Sequence, residues 1–135
     1  METIRTSNAP EPKGAYSQGC VHNGVVYVAG QLGLDPATGE TPSSEFEPQL
    51  RQALKNVKAV VEAGGSDLAH LLRVNVYLTD ESQFPLLNKI YAEYIPEPYP
   101  PRTARVVELG PYAVEVDATA AVIDKEEGGE EIYGL

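Results

Sequence analysis

The segment Val114-Glu115-Val116-Asp117-Ala118-Thr119-Ala120-Ala121-Val122-Ile123 decides the fold class. Val114, Val116, Ala118, Ala120 and Val122 point one way along it, and Glu115, Asp117, Thr119, Ala121 and Ile123 the other. It predicts a closing strand, Tyr112 to Ile123, with apolar side chains on both faces. Upstream the period changes. Phe46, Leu50, Leu54, Val57 and Val61 recur at helical spacing, while Arg51, Lys55 and Lys58 turn elsewhere. Ser44 and Glu47 predict a capping box, Pro48 falls in the tolerated first turn, and Gly64-Gly65 supplies an αL stop. A second helix carries Phe84, Leu87, Tyr91 and Tyr94 and ends at Pro96-Glu97-Pro98-Tyr99-Pro100-Pro101.

The other elements read as strands and turns. Gly19 to Ala29 predicts a hairpin, with Asn23-Gly24 suited to the positive φ angles of a type I′ turn. Asp35-Pro36-Ala37-Thr38-Gly39 is a second turn, and Ser66-Asp67 caps a short turn through Leu71. Val74, Val76 and Leu78 alternate with Arg73, Asn75 and Tyr77. A strand from Arg102 to Glu108 follows the prolines, and Gly110-Pro111 separates it from the last one. Residues 1–18 show no period and read as an extended lead-in. The order is strand, strand, helix, strand, helix, strand, strand: an α+β chain with a mixed sheet. Two helices cover one sheet face. The other face is expected to carry many apolar residues, among them small ones, which predicts cover by a partner subunit.

A chain of 135 residues suits one domain, residues 1–135, able to bury roughly two-thirds of its unfolded surface without metal or disulfide. Cys20 is the one cysteine, so no intrachain disulfide forms. No stretch reaches the roughly 20 apolar residues of a membrane span. The polar opening Met1-Glu2-Thr3-Ile4-Arg5 lacks the core of a secretory signal, so a soluble cytoplasmic protein is expected. The formal charge of −10 opposes nucleic acid and anionic lipid as partners. Part of the acidic excess falls at Asp124, Glu126, Glu127, Glu130 and Glu131 (the tail 124–135), read as a solvated end.

Absences narrow the chemistry. His22 and His70 are the only histidines, and Cys20 with His22 on one strand face makes two ligands, too few for zinc. No metal is expected. There is no P-loop, GxGxxG or GxSxG pattern. What remains is polar residues at strand starts and in the N-terminal loop. Arg102 follows two prolines, so its backbone is held extended and its fork of N–H donors suits a carboxylate. For an arbitrary arginine a surface ion pair is the ordinary role. Glu115 and Asp117 share a strand face, where a solvated edge and a water-positioning group read alike, and Tyr16 reads equally as a loop anchor.

Together, these segments resemble the Rid family (YjgF/YER057c/UK114), the reactive-intermediate imine deaminases. The resemblance runs from about Asn8 to Val122. It is carried by Asn8-Ala9-Pro10, Gly14-Ala15-Tyr16-Ser17-Gln18, Ala29-Gly30-Gln31, Asp35-Pro36-Ala37-Thr38-Gly39, Gln52-Ala53-Leu54-Lys55-Asn56-Val57, Asn88-Lys89-Ile90-Tyr91, Tyr99-Pro100-Pro101-Arg102 and Val114-Glu115-Val116-Asp117-Ala118. It implies a chorismate-mutase-like α+β fold in a homotrimer with a central barrel and a cleft at each subunit interface. The implied reaction is cofactor-free hydrolysis of 2-aminoacrylate, 2-iminopropanoate or 2-iminobutanoate to 2-keto acids and ammonia.

On that resemblance Arg102 binds the substrate carboxylate, Glu115 orients water or shuttles its proton, and Tyr16 lines the cleft, contributed by a neighbouring subunit. The Ala104 amide adds a donor, and Gly30, Gln31 and Asn88 lie near the cleft in support. Two positions depart from the family pattern: Ala104 stands where many members have Cys, and Ala29 where many have Ser. Neither touches Arg102, Glu115 or Tyr16, so activity with an altered substrate range is expected. Relatives leave other uses open: a non-catalytic sensor of 2-keto or amino acids, an endoribonuclease or translation inhibitor, and a holdase-like chaperone.

Overall fold

A computed structural model describes residues 1–123; the acidic run beginning at Asp124 lies outside the described residues. The strands are β1 (Glu2–Ile4), β2 (Gly19–His22), β3 (Val25–Leu32), β4 (Leu71–Leu78), β5 (Arg102–Val106) and β6 (Val114–Ala121). The helices are α1 (Phe46–Ala63) and α2 (Phe84–Tyr94), with short 3₁₀ turns at Leu68–His70 and Glu81–Gln83. They build one six-stranded sheet in the order β1-β2-β3-β6-β4-β5. All neighbours are antiparallel except β4 and β5, which run parallel. Parallel neighbours need a crossover, and α2 supplies it.

Both helices pack on one face. Even-numbered residues of β6 meet Val74, Val76 and Leu78 of β4 in register, and all of these are buried. Leu50, Leu54, Val57, Val60 and Val61 from α1, and Leu87 and Ile90 from α2, close over them. Asn23 (φ 51°) and Gly24 (φ 78°) form the expected hairpin turn. At the end of α1, Gly65 (φ 93°) donates to Glu62 O and Ser66 to Val61 O, the paired bonds of a Schellman stop.

Four expectations need correction. The lead-in holds a strand, because Glu2–Ile4 pairs with Gly19–Val21 at the sheet edge. The capping box is not made: Glu45 is the N-cap and its side chain accepts no bond. Instead Ser43 Oγ accepts from Glu45 N–H, and the buried Gln49 donates to Ser43 O at 2.8 Å. The last two strands are shorter than read, ending at Val106 and Ala121. The open sheet face is more polar than expected. Val25, Tyr27, Leu32 and Ala121 share it with Arg73, Asn75, Tyr77, Thr103, Arg105, Glu115, Asp117 and Thr119. Among the described residues no helix is long and apolar enough to cross a membrane.

Candidate functional site

Arg102 opens β5 beside Val74 and therefore shares the helix-covered side of the sheet. The Pro100-Pro101 rings hold its approach extended. Its Nη2 donates to Asn88 Oδ1 at 2.8 Å, and its guanidinium carbon lies 4.8 Å from the centroid of the Tyr91 ring. Asn88 and Tyr91 are one turn apart on α2, so a single helix face presents both. With Ala92, Tyr99 and Pro100 they line a cleft of about 450 Å³. Arg102 makes no ion pair among the described residues. Its remaining N–H donors suit a small planar anion.

The edge of β5 adds a backbone donor. Val74 N–H bonds Pro101 O, and Val107 N–H bonds Leu78 O. In a parallel ladder anchored this way, Thr103 and Arg105 turn their amides inward and Ala104 turns its amide off the free edge. Arg102 and Ala104 stand two residues apart on one side of that edge.

Glu115 belongs to a second group. It pairs with Tyr77 and Leu32 on the open face, opposite the face that Arg102 uses. Burial, and then the Asp117 charge, raises its pKa above the ordinary 4.5. Asp117 in turn accepts from Asn75 Nδ2 at 2.8 Å. Opposite Glu115, β3 is irregular between Val28 and Gln31, a bulge at Ala29 and Gly30. A Cβ on Gly30 would lie 2.7 Å from Glu115 Oε2, so the missing side chain makes room for this carboxylate.

Tyr16 stands just before β2, 54% exposed, its hydroxyl accepting from Lys13 N–H at 3.2 Å. Its loop runs beside the bulge, where Ala29 N–H bonds Gln18 O at 2.9 Å. The buried Gln18 side chain ties that loop down, donating to Thr6 O, Ala9 O and Pro10 O. Gln31 faces the helices, buried, and its amide donates to Ala29 O at 3.2 Å. It holds the bulge and does not reach the Arg102 cleft.

The expected site residues thus form two half-sites. Arg102, Asn88 and Ala104 gather at the β5 edge; Glu115, Gly30 and the Tyr16 loop gather around β3 and β6. Arg102 and Glu115 are separated by two strand spacings and three residues of rise, about 14 Å, as well as by the sheet itself. β2, which Tyr16 precedes, stands four strands from β5, about 19 Å. Sequence reasoning missed Tyr91 and Tyr99 as walls of the cleft. The signal was available in part: Tyr91 lies one turn beyond Asn88, and Tyr99 opens the Pro-Pro-Arg run.

Fold and site together define a two-layer α+β protein with an arginine-bearing cleft at a sheet edge. Residues 6–122 match the family described as Endoribonuclease L-PSP. A RutC family protein of Pyrococcus horikoshii is 41% identical over 121 residues, 88% of this chain and 96% of its own length. The 2-iminobutanoate/2-iminopropanoate deaminase of Homo sapiens is 32% identical over 120 residues, 89% of this chain and 88% of its own. Among solved structures, RidA from an Antarctic Psychrobacter species superposes with a TM-score of 0.86 at 39% identity, covering 90% of this chain and 100% of that one. The chain belongs to the Endoribonuclease L-PSP family, the Rid family of the resemblance.

Proposed function

We propose that this protein hydrolyses reactive imines and enamines of small amino acids to 2-keto acids and ammonia. Arg102 carries the reading: its guanidinium is held by Asn88 and Tyr91 before any ligand arrives, with the Ala104 amide beside it. A 2-imino acid docks its carboxylate there, which fixes the C=N carbon for attack by one water. Glu115 takes a proton from that water as it adds to the carbon and passes it to the imine nitrogen, which gives a carbinolamine. Glu115 then moves the hydroxyl proton to the amino nitrogen, the C–N bond breaks, and ammonia leaves as the keto group forms. A carboxylate whose pKa is raised is better matched to this proton transfer than an ordinary glutamate. Since Glu115 and Arg102 use opposite sheet faces, the complete site pairs Arg102 of one copy with Glu115 and Tyr16 of another, in a homotrimer. Tyr16 lines that site, Gly30 leaves Glu115 its space, and Gln31 holds the bulge.

The test is an imine-trapping assay. An amino-acid oxidase generates imines from L-amino acids, semicarbazide competes for them, and 2-keto acid release is followed. The protein should suppress semicarbazone formation, and Arg102→Ala should abolish that effect while leaving the oligomer intact. Unchanged suppression by that variant rejects the assignment.

The same separation of Arg102 from Glu115 supports a second reading, a sensor whose cleft binds a 2-keto acid without turning it over. Keto-acid binding with no ammonia release would select it. The family description raises RNA cleavage, which the charge of −10 opposes.

A further inference from the structure

We propose that Tyr91 is a positioning residue, whose ring face sets the plane of the Arg102 guanidinium and so the direction in which its fork meets a carboxylate. The inference deepens the reading of Arg102 as carboxylate receptor and rests on it. A guanidinium on a flexible stem can rotate within its own plane and can tilt out of it. The Asn88 Oδ1 acceptor, 2.8 Å from Nη2, opposes the first motion. It does not stop the second, because the planar fork can still swing about that hydrogen bond. The Tyr91 ring, 4.8 Å from the guanidinium carbon, supplies a face against which tilting is resisted.

The hydroxyl is not what Arg102 uses. Tyr91 is 5% exposed, and its OH is buried with no hydrogen-bond partner. Burial pushes its pKa up to about 12, so at neutral pH the ring carries no charge. What remains for the arginine is the negative face of a neutral ring. An aliphatic residue would fill part of that volume without offering that face. Asn88 and Tyr91 project from one face of a helix that packs on the sheet, so the pair is set by the fold before a ligand binds.

The experiment measures binding of 2-oxobutanoate by calorimetry to the intact oligomer, for the wild type, Tyr91→Phe, Tyr91→Leu, Tyr91→Met and Arg102→Ala. Tyr91→Phe keeps the ring, and its Kd should stay within about two-fold of wild type. Folded Tyr91→Leu or Tyr91→Met should bind roughly three- to ten-fold more weakly. In the trapping assay the same variants should raise KM more than they lower kcat. The Arg102 Nε–H proton resonance should be shifted upfield by the ring in wild type and Tyr91→Phe. Wild-type affinity in a folded aliphatic variant overturns the proposal, and so does equal weakening in Tyr91→Phe. Should both aliphatic variants fail to fold, an unshifted Arg102 resonance in the wild type overturns it. Arg102→Ala binding 2-oxobutanoate as well as wild type rejects the functional reading itself, and the proposal with it.

Discussion

Gly30 has no side chain where Glu115 has its carboxylate, and the two positions are one feature. Gly30 is outside the positive-φ region, so alanine is allowed there by the backbone. The first atom its Cβ would meet is Oε2, the far end of a flexible side chain. Gly30→Ala should therefore leave the thermal midpoint within about 2 °C while displacing the carboxylate and reducing imine hydrolysis on the order of ten-fold. Thermal unfolding and the trapping assay on one preparation check both halves; full activity would detach Gly30 from the site. Single residues were unevenly legible. Arg102 stood out through the family resemblance; the two prolines before it say only that its backbone is held extended. Tyr91 did not, since its spacing is that of any core residue of α2, and only the packing of α2 against β5 brings it beneath Arg102.

Elements declare themselves when their signal is local. The stripe of α1, its Gly64-Gly65 stop and the Asn23-Gly24 hairpin all follow from period and positive φ, and all are present. β1 depends on pairing with β2, which three residues without a period cannot announce. The start of α1 was misplaced because Ser43 and Gln49 share the work assigned to Ser44 and Glu47. Another buried amide on α1 has a load that only the folded chain reveals. Asn56 donates to Leu32 O at 3.1 Å and Leu34 O at 2.8 Å, and accepts from Gln52 at 2.9 Å. It thereby satisfies the carbonyls where β3 leaves the sheet. Asn56→Leu keeps the branched shape and strands the Leu34 carbonyl, while Leu32 O keeps its bond from Leu34 N–H, so a loss of about 1–3 kcal/mol is expected. Urea unfolding at fixed protein concentration measures it.

At the scale of the molecule, the placement of Arg102 and Glu115 on opposite sheet faces makes the assembly testable by mixing. Arg102→Ala and Glu115→Gln should each be inactive alone. If the site joins two copies, subunit exchange between them should restore about one native site in four, because one variant donates the arginine and the other the glutamate. No recovery after demonstrated exchange would place both groups in one copy's site. The strand pattern of β6 already told which residues share a face with Glu115. It could not tell that Arg102 lies on the other one, because that follows from the parallel register of β4 and β5, a non-local pairing. The split has a consequence for how such a protein is tuned. If each centre is divided between neighbours, the amount of protein present becomes a catalytic variable. A scarce chain below its association threshold would then be idle, an abundant one would switch on, and substitutions remote from either half-site would act on turnover through assembly alone.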